Sequence, residues 1–139
     1  MKRVFISFDY DHDRRYRYLL NALAANPRFA IEFEDFTPGE IQSIDVGRIK
    51  AALTRRIRNS THILVIVGQY ANYQHRNHIL IGTKNWQWWE IEKAHEENLR
   101  FIAVKIQNSN ATPTPLFGKN AQWARSFTIH AITNAINFA

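Results

Sequence analysis

Residues 61–68 read THILVIVG, and this stretch decides the class of fold. Five consecutive apolar residues, 63–67, lie between the polar pair Thr61-His62 and Gly68. A short apolar run with such boundaries is typical of a strand that is covered on both faces. Strands of this kind lie at the centre of parallel sheets, between two layers of helices. We therefore predict an α/β protein in which residues 61–67 form the most central strand.

Strands and helices alternate on both sides of this segment. Strands are predicted over residues 4–8, 30–36 and 101–106, and helices over about 13–25, 45–59, 85–98 and 128–137. Helices of ten or more residues between strands favour parallel pairing through right-handed crossovers, which predicts a three-layer α/β/α sandwich. Residues 122–128 are the one candidate for a fifth strand, and we leave its existence open. The connection over residues 69–84 is long for a compact domain, and such loops are often lids or binding elements.

The composition indicates one globular domain over residues 1–139. Apolar residues make up 45% and charged residues 22% of the 139 residues, which is a globular and not a disordered composition. Cysteine is absent, so disulfides, thiolate metal sites and cysteine nucleophiles are excluded. The longest apolar runs have five residues, and the apolar stretch near the N-terminus ends at Phe8 before two aspartates. We expect neither a membrane span nor a secretory signal, and predict a cytoplasmic protein.

The net charge of +6 favours acidic partners, among them nucleic acid, anionic lipid or a phosphate-bearing small molecule. Five of the basic residues crowd one predicted helix without any acid among them: Arg48, Lys50, Arg55, Arg56 and Arg58. Charge runs of this kind are usually solvated helix faces, and we favour that interpretation over a binding surface. No zinc-finger, ribonucleoprotein or basic-zipper signature accompanies it, so nucleic acid is not an expected partner.

Several common chemistries lack their sequence signals. There is no Gly-x-Gly-x-x-Gly, no glycine-lysine phosphate loop and no Gly-x-Ser-x-Gly elbow. His75 and His78 are separated by two residues, yet no further ligands stand at metal-site spacing, so loop histidines are the better interpretation and no metal is expected.

Polar and aromatic residues gather where a ligand site is expected. In an open parallel sheet, ligands bind at the carboxyl ends of the strands, where the strand order reverses. The first strand ends in Ser7-Phe8-Asp9-Tyr10-Asp11, and the central strand ends in Gly68-Gln69-Tyr70. Ser7 interrupts a buried strand at that point. Either Asp9 or Asp11 is instead expected to cap the helix that follows.

Residues 85–94, NWQWWEIEKA, are the most informative helix. At 100° per residue, Ile91, Ala94 and Asn98 define the face toward the sheet, and Glu90 lies beside that face, four residues after Trp86. An aromatic neighbour that excludes water tends to raise the pKa of a carboxyl group.

Two further observations bear on this helix. The alternative interpretation of Glu90 is a solvated surface glutamate, which is what we expect Glu92 to be. Three tryptophans within four positions, Trp86, Trp88 and Trp89, cannot all be core residues, so some of them should line a pocket or an interface.

Taken together, these segments resemble a TIR-like domain, most of all the small bacterial type that is the sensor component of Thoeris anti-phage systems. The matching pieces are residues 2–8, Asp35 at the end of the second predicted strand, and residues 60–68, 86–94 and 102–106. They cover residues 1 to about 106. The most specific marker is a tryptophan followed four places later by a glutamate, which Trp86 and Glu90 satisfy.

The resemblance implies a flavodoxin-like sheet of strand order 2-1-3-4 and, in enzymatic members, cleavage of the nicotinamide–ribose bond of NAD. The product would be ADP-ribose or a cyclic or otherwise modified form of it. Glu90 matches the catalytic glutamate. The expected substrate-binding residues are Phe5, Ser7, Asp9, Tyr10, Asp35, Trp86 and Trp89. NAD is then a substrate, and no cofactor is expected.

The same resemblance implies partners. A diffusible product would signal to a separate effector protein, a phage protein would be the trigger, and copies of the chain would assemble on activation. Two alternatives stay open. One is a non-catalytic TIR interaction module, with Trp88, Trp89 or residues 37–44 as contact surfaces. The other is an enzyme like the nucleoside deoxyribosyltransferases, which have a similar sheet and a catalytic glutamate.

Overall fold

A computed structural model describes residues 1–25, 31–34 and 44–139 of the chain. These described residues contain five strands: β1 (Lys2–Ser7), β2 (Ile31–Glu34), β3 (His62–Val67), β4 (Arg100–Lys105) and β5 (Gln122–Ala124). The helices between and after them are α1 (Tyr10–Ala24), α2 (Val46–Arg58), α3 (His78–Ile81), α4 (Trp86–Glu96) and α5 (Ile129–Phe138). A single 3₁₀ turn, Thr114–Leu116, precedes β5.

The strands form one parallel sheet of order β2-β1-β3-β4-β5. In register, Ile6 of β1 lies beside Leu64 of β3, which lies beside Ile102 of β4. Every residue of β3 is buried, as its apolar run predicts. The predicted α/β architecture and the order 2-1-3-4 are confirmed, and the short β5 extends the sheet at its far edge.

Helices cover both faces of the sheet, because alternate side chains of the strands point to opposite sides. One face packs against α1 and α5, and its core includes Val4, Ile6, Leu20, Leu64, Ile66, Ile102 and Ile132. The other packs against α2 and α4, and its core includes Phe5, Leu53, Ile57, Ile63, Val65, Ile91 and Ala103. The result is the predicted three-layer sandwich.

Short polar side chains set the starts of the helices. Asp45 accepts a hydrogen bond from the backbone N–H of Arg48, and Asn85 accepts one from that of Trp88, so both predicted caps are confirmed. Asp9 caps α1 by accepting from the N–H groups of Asp11 and His12. That cap is why α1 begins at Tyr10, three residues before the predicted start.

Two predictions of detail are wrong. Asn98 lies beyond the end of α4, with a φ of 60° and an exposed side chain, so it does not face the sheet. Residues 69–84 are not a plain loop, because they contain α3. The ends of the second predicted strand, at residues 30, 35 and 36, and residues 37–43 of the alternative contact surface lie outside the described residues.

The basic segment of α2 presents most of its charge to solvent. Ile49, Leu53 and Ile57 are buried against the sheet. Arg48, Arg55 and Arg58 are exposed on the outer side, and Arg58 forms an ion pair with Glu97. This fits the solvated-face interpretation. In the described part of the chain, no helix has the length and apolarity needed to cross a membrane.

Candidate active site

A buried serine–glutamate pair joins the central sheet to α4. Ser7, the last residue of β1, donates a hydrogen bond of 2.8 Å from its Oγ to Oε1 of Glu90. Ser7 has no exposed surface and Glu90 is 1% exposed. The prediction that Glu90 lies beside the inward face of α4 is therefore wrong. The buried stripe of α4 consists of positions 87, 90, 91 and 94. Because α4 ends before Asn98, that residue does not belong to the inward face, whose centre therefore lies nearer to Glu90 than predicted.

Burial controls the protonation of Glu90. Removal from water raises its pKa to about 8, and the hydrogen bond from Ser7 opposes that shift without cancelling it. Its second oxygen, Oε2, is buried and has no hydrogen-bond partner among the described residues. Near pH 7 the carboxyl group is therefore mostly neutral in the unliganded protein.

Gln87 ties α4 to the ends of two strands. Its side-chain amide nitrogen donates to the carbonyl oxygens of Ser7 at 3.1 Å and Ile66 at 2.8 Å. These carbonyls belong to the neighbouring strands β1 and β3, between which the strand order reverses. Gln87 is not among the predicted site residues. Its spacing of three residues before Glu90, which puts both side chains on one helix face, was the available signal.

A cavity of about 450 Å³ opens at this point of the sheet, and we call it the switch-point cavity. Three segments line it: residues 8–12 after β1, Tyr70 with residues 73–76 of the long connection, and residues 85–87 at the start of α4. Its place at the carboxyl ends of β1 and β3 is where parallel sheets bind ligands. Ser7 and Glu90 do not line the cavity themselves; Gln87 lines it and contacts the Ser7 carbonyl.

Aromatic and acidic groups form the wall of the switch-point cavity. The His12 ring stacks on Tyr70 with centroids 3.7 Å apart, and Tyr73 meets Tyr70 edge-on at 4.7 Å. Asp9 lies within 3.1 Å of Nδ1 of His12. Flat rings next to a carboxylate suit a ligand that carries a planar base and hydroxyl groups.

His75 lines the same cavity. Burial lowers its pKa, so it is mainly neutral, and its Nδ1 accepts a hydrogen bond from the backbone N–H of Asn77. Across the described residues, no three or more His, Asp or Glu side chains are grouped so that they could hold a metal ion.

The other predicted substrate-binding residues that the structure describes lie in three different environments. Asp9, Tyr10 and Trp86 line the switch-point cavity. Phe5 lies in the core between the sheet and α4, with no exposed surface. Trp89 is half-buried and packs edge-on against Trp86, with ring centroids 5.9 Å apart. Asp35 lies outside the described residues.

Trp88 lies on a different surface from Trp86 and Trp89. It is half-buried, and its Nε1 donates to the side-chain oxygen of Asn72 at 3.1 Å. The Lys84 ammonium lies 5.3 Å from the centre of its ring. Trp88 thus packs under the long connection and outside the switch-point cavity.

Asp13 is a second buried carboxyl group near the same strand ends and is not among the predicted site residues. Burial, with a smaller contribution from the charge of Asp9, raises its pKa to about 6. Its Oδ2 has no hydrogen-bond partner among the described residues. Gly68 makes this arrangement possible, because a β-carbon at position 68 would lie 1.9 Å from that oxygen.

Comparison with known proteins gives a family match and a structural match. Residues 5–111 match the family model described as Thoeris protein ThsB, TIR-like domain. The crystal structure of a prokaryotic SEFIR domain is similar, with a TM-score of 0.56 and 14% sequence identity over 99% of this chain and 95% of that chain. At that identity the likeness shows the fold alone. The search of curated proteins found no match. The family match spans β1 to β4 and includes both Ser7 and Glu90.

Proposed function

The chain belongs to the TIR-like domain family of Thoeris protein ThsB, and we propose that it cleaves the bond between nicotinamide and ribose in NAD. The observation that carries this proposal is Glu90. Its buried carboxyl group accepts a hydrogen bond from Ser7 and lies three positions after Gln87, which lines the cavity at the switch point of the sheet. Burial of an ionisable carboxyl group costs free energy, and carboxyl groups with a strongly shifted pKa concentrate at functional sites.

The proposed reaction breaks the N-glycosidic bond, and both of its electrons leave with nicotinamide, which departs as a neutral molecule. The ribose carbon becomes an oxocarbenium-like cation. The ionised carboxylate of Glu90 stabilises that positive charge, as the carboxylates of glycosidases do. Water, or a hydroxyl of the same molecule, then adds to the carbon and releases a proton. The first course yields ADP-ribose and the second a cyclic product.

Glu90 must be ionised for this role, although burial raises its pKa to about 8. The pyridinium ring of NAD carries a positive charge, and an opposite charge at close range favours the ionised form of a carboxyl group. Binding of NAD would therefore lower the pKa of Glu90 and release its proton. In the proposed scheme the substrate itself activates the carboxylate.

The switch-point cavity has the size and the wall for part of a dinucleotide. Its volume of about 450 Å³ falls within the usual range for small-molecule sites. We propose that Trp86 and Tyr70 contact a ring of the ligand and that Asp9 and Tyr10 bind ribose hydroxyls. Arg76, which lines the cavity, and the net charge of +6 would favour the diphosphate.

The defence role follows from the family. We propose that the protein acts in the cytoplasm, that a phage protein triggers it, and that its ADP-ribose-type product activates a separate effector protein. Assembly of several copies on activation is part of the same proposal. The exposed side chains of Ile79 and Leu80, in the long connection, are the favoured contact.

A second candidate is a non-catalytic interaction module. One observation favours it: Glu90 is 1% exposed and mostly neutral at pH 7, as a carboxyl group with only a structural role would be. Nicotinamide release separates the two candidates. The enzyme releases nicotinamide from NAD as purified protein or in phage-infected cells. No release under either condition would favour the interaction module.

A further inference from the structure

The orientation of the Gln87 side-chain amide is determined by its two partners. Both are backbone carbonyl oxygens, those of Ser7 and Ile66, and neither can donate a hydrogen bond. Only the NH₂ group of the amide can face them, since an amide oxygen in that place would meet two other oxygens. The amide oxygen, Oε1, is consequently held at the opposite end of the group.

That oxygen has no partner in the part of the chain that the structure describes, although Gln87 is 4% exposed. Buried side-chain acceptors are usually hydrogen-bonded, and one that is not carries a free-energy cost. Gln87 also belongs to the lining of the switch-point cavity. The oxygen itself is covered, so a ligand in the cavity must reach it past the side chains around Gln87 in order to satisfy it.

A second orphan oxygen lies on the same face of the same helix. Oε2 of Glu90 is buried without a partner among the described residues, three positions further along α4. Residues three apart on a helix are neighbours on its surface. Near pH 7 the proton of the neutral Glu90 carboxyl makes this group a donor; once Glu90 is ionised, as the proposed function requires, both oxygens are acceptors.

We propose that Gln87 Oε1 accepts a hydrogen bond from an uncharged donor of the bound dinucleotide and so holds the ribose–nicotinamide bond toward Glu90. The donor is either the carboxamide N–H of nicotinamide or a hydroxyl of the adjoining ribose. Gln87 is then a specificity-determining residue. This inference rests on the function proposed above.

The chemistry of the acceptor defines what the site rejects. Oε1 can only accept, and the backbone carbonyl oxygens of Ser7 and Ile66 nearby add no donors. A carboxylate in place of the carboxamide would set negative charge against this oxygen. The site should therefore prefer an amide, or a hydroxyl, over an acid or a methyl ketone of the same shape. Discrimination of this type is strong where a buried polar group would be left unpaired.

A purely structural role for Gln87 has a different signature. The two bonds that brace α4 against the sheet use the NH₂ group, whereas ligand recognition would use Oε1. Loss of the brace weakens the binding of every ligand by a similar factor. Loss of Oε1 also removes the preference between ligands that have and lack the donor.

The test is the binding of three uncleavable ligands by isothermal titration calorimetry. The first is carba-NAD, in which a methylene replaces the ring oxygen of the nicotinamide ribose. The other two are derivatives of carba-NAD. The second carries an acetyl group in place of the carboxamide, and the third lacks the 2′-hydroxyl of the nicotinamide ribose. We expect the parent protein to bind one of the two altered ligands about tenfold more weakly than carba-NAD.

Gln87→Met keeps the length of the side chain and removes both the donors and the acceptor. We expect it to bind carba-NAD about tenfold more weakly and to lose the parent's preference among the three ligands. Gln87→Lys keeps a donor toward the two carbonyl oxygens and has no acceptor, so it should also lose the preference. It serves as the test if Gln87→Met does not fold, because a preference retained by Gln87→Lys would overturn the inference.

The outcomes separate this inference from the proposed function. Equal binding of all three ligands by the parent, or an unchanged preference in Gln87→Met, would overturn the role of Gln87 and leave NAD binding intact. If the parent binds none of the three, the proposed function and the inference fall together.

Discussion

Oγ of Ser7 and Oε1 of Glu90 are 2.8 Å apart, although 83 positions separate the two residues along the chain. The bond connects the end of the central β1 strand to the helix that covers it. Glu90 receives no other hydrogen bond at Oε1 or Oε2 from the described residues. Its protonation, and with it any catalytic role, depends on this bond and on the exclusion of water.

Replacement of Ser7 tests that dependence. The hydrogen bond from Ser7 lowers the pKa of Glu90, so Ser7→Ala should raise that pKa further. We expect the pH profile of nicotinamide release to move to higher pH, together with a loss of about 1–3 kcal/mol in the free energy of unfolding. The profile is measured beside Ser109→Ala, at an exposed position. Coincident profiles for the two variants and the parent would show that Ser7 does not act on the protonation of Glu90.

The raised pKa of Glu90 also predicts how stability depends on pH. The folded protein keeps the proton up to about pH 8, whereas the unfolded chain releases it near 4.5. Between these values the folded state holds more protons, so the free energy of unfolding falls as the pH rises. The slope from this group is at most about 1.4 kcal/mol per pH unit.

Glu90→Gln should abolish that contribution. The comparison is best made between pH 6.5 and 8, above the pKa of Asp13, which burial raises to about 6 and which adds its own slope at lower pH. Urea denaturation at several pH values gives the two slopes. If parent and variant lose stability equally over this range, Glu90 is already ionised in the folded protein.

Gly68 and Asp13 should behave as a coupled pair. A β-carbon at position 68 would approach Oδ2 of Asp13 to 1.9 Å, so Gly68→Ala requires the carboxyl group or the strand end to move. We expect Gly68→Ala to lower the free energy of unfolding by about 1–3 kcal/mol. Combined with Asp13→Ala, the same change should cost much less. Additive effects in this double-mutant cycle would refute the steric conflict.

Assembly on activation is predicted to use the long connection. The side chains of Ile79 and Leu80 on α3 are 83% and 66% exposed, whereas Trp86, Trp88 and Trp89 are all half-buried. Exposed apolar groups next to one another are typical of contact surfaces. Light scattering should show larger species when an uncleavable NAD analogue is added, and Leu80→Glu should prevent this. A protein that stays monomeric at every concentration and turns over NAD at its full rate would contradict the prediction.

Much of the fold could be predicted because the central segments have clear periodicity. The buried run of β3 and the alternation of strands with helices indicate the sandwich and four of its strands. The open candidate for a fifth strand, residues 122–128, does contain β5, but a strand of three residues is too short to produce a decisive pattern, and so is the four-residue α3. Their formation depends on neighbours that are distant in sequence.

The site was predicted less completely, for a similar reason. Periodicity located Ile91 and Ala94, but it extended α4 to Asn98, whose backbone in fact turns to a φ of 60°. The longer predicted helix shifts the inferred inward face, which puts Glu90 beside that face and gives no reason to select Gln87. Asp9 and Tyr10 were assigned from the strand end alone, and the structure puts both on the wall of the cavity. Their part in substrate binding, like that of Asp35, stays a prediction.

Nicotinamide release from NAD by Glu90→Gln is the most direct measurement of the central claim. Glutamine keeps the shape of the neutral carboxyl group, so packing and the contact with Ser7 should survive. It cannot supply the negative charge that an oxocarbenium-like ribose requires. We predict a loss of about a hundredfold or more in turnover, whereas Glu92→Gln, at an exposed position of the same helix, retains the parent rate. Equal turnover by both variants and the parent would contradict the assignment of Glu90 as the catalytic residue.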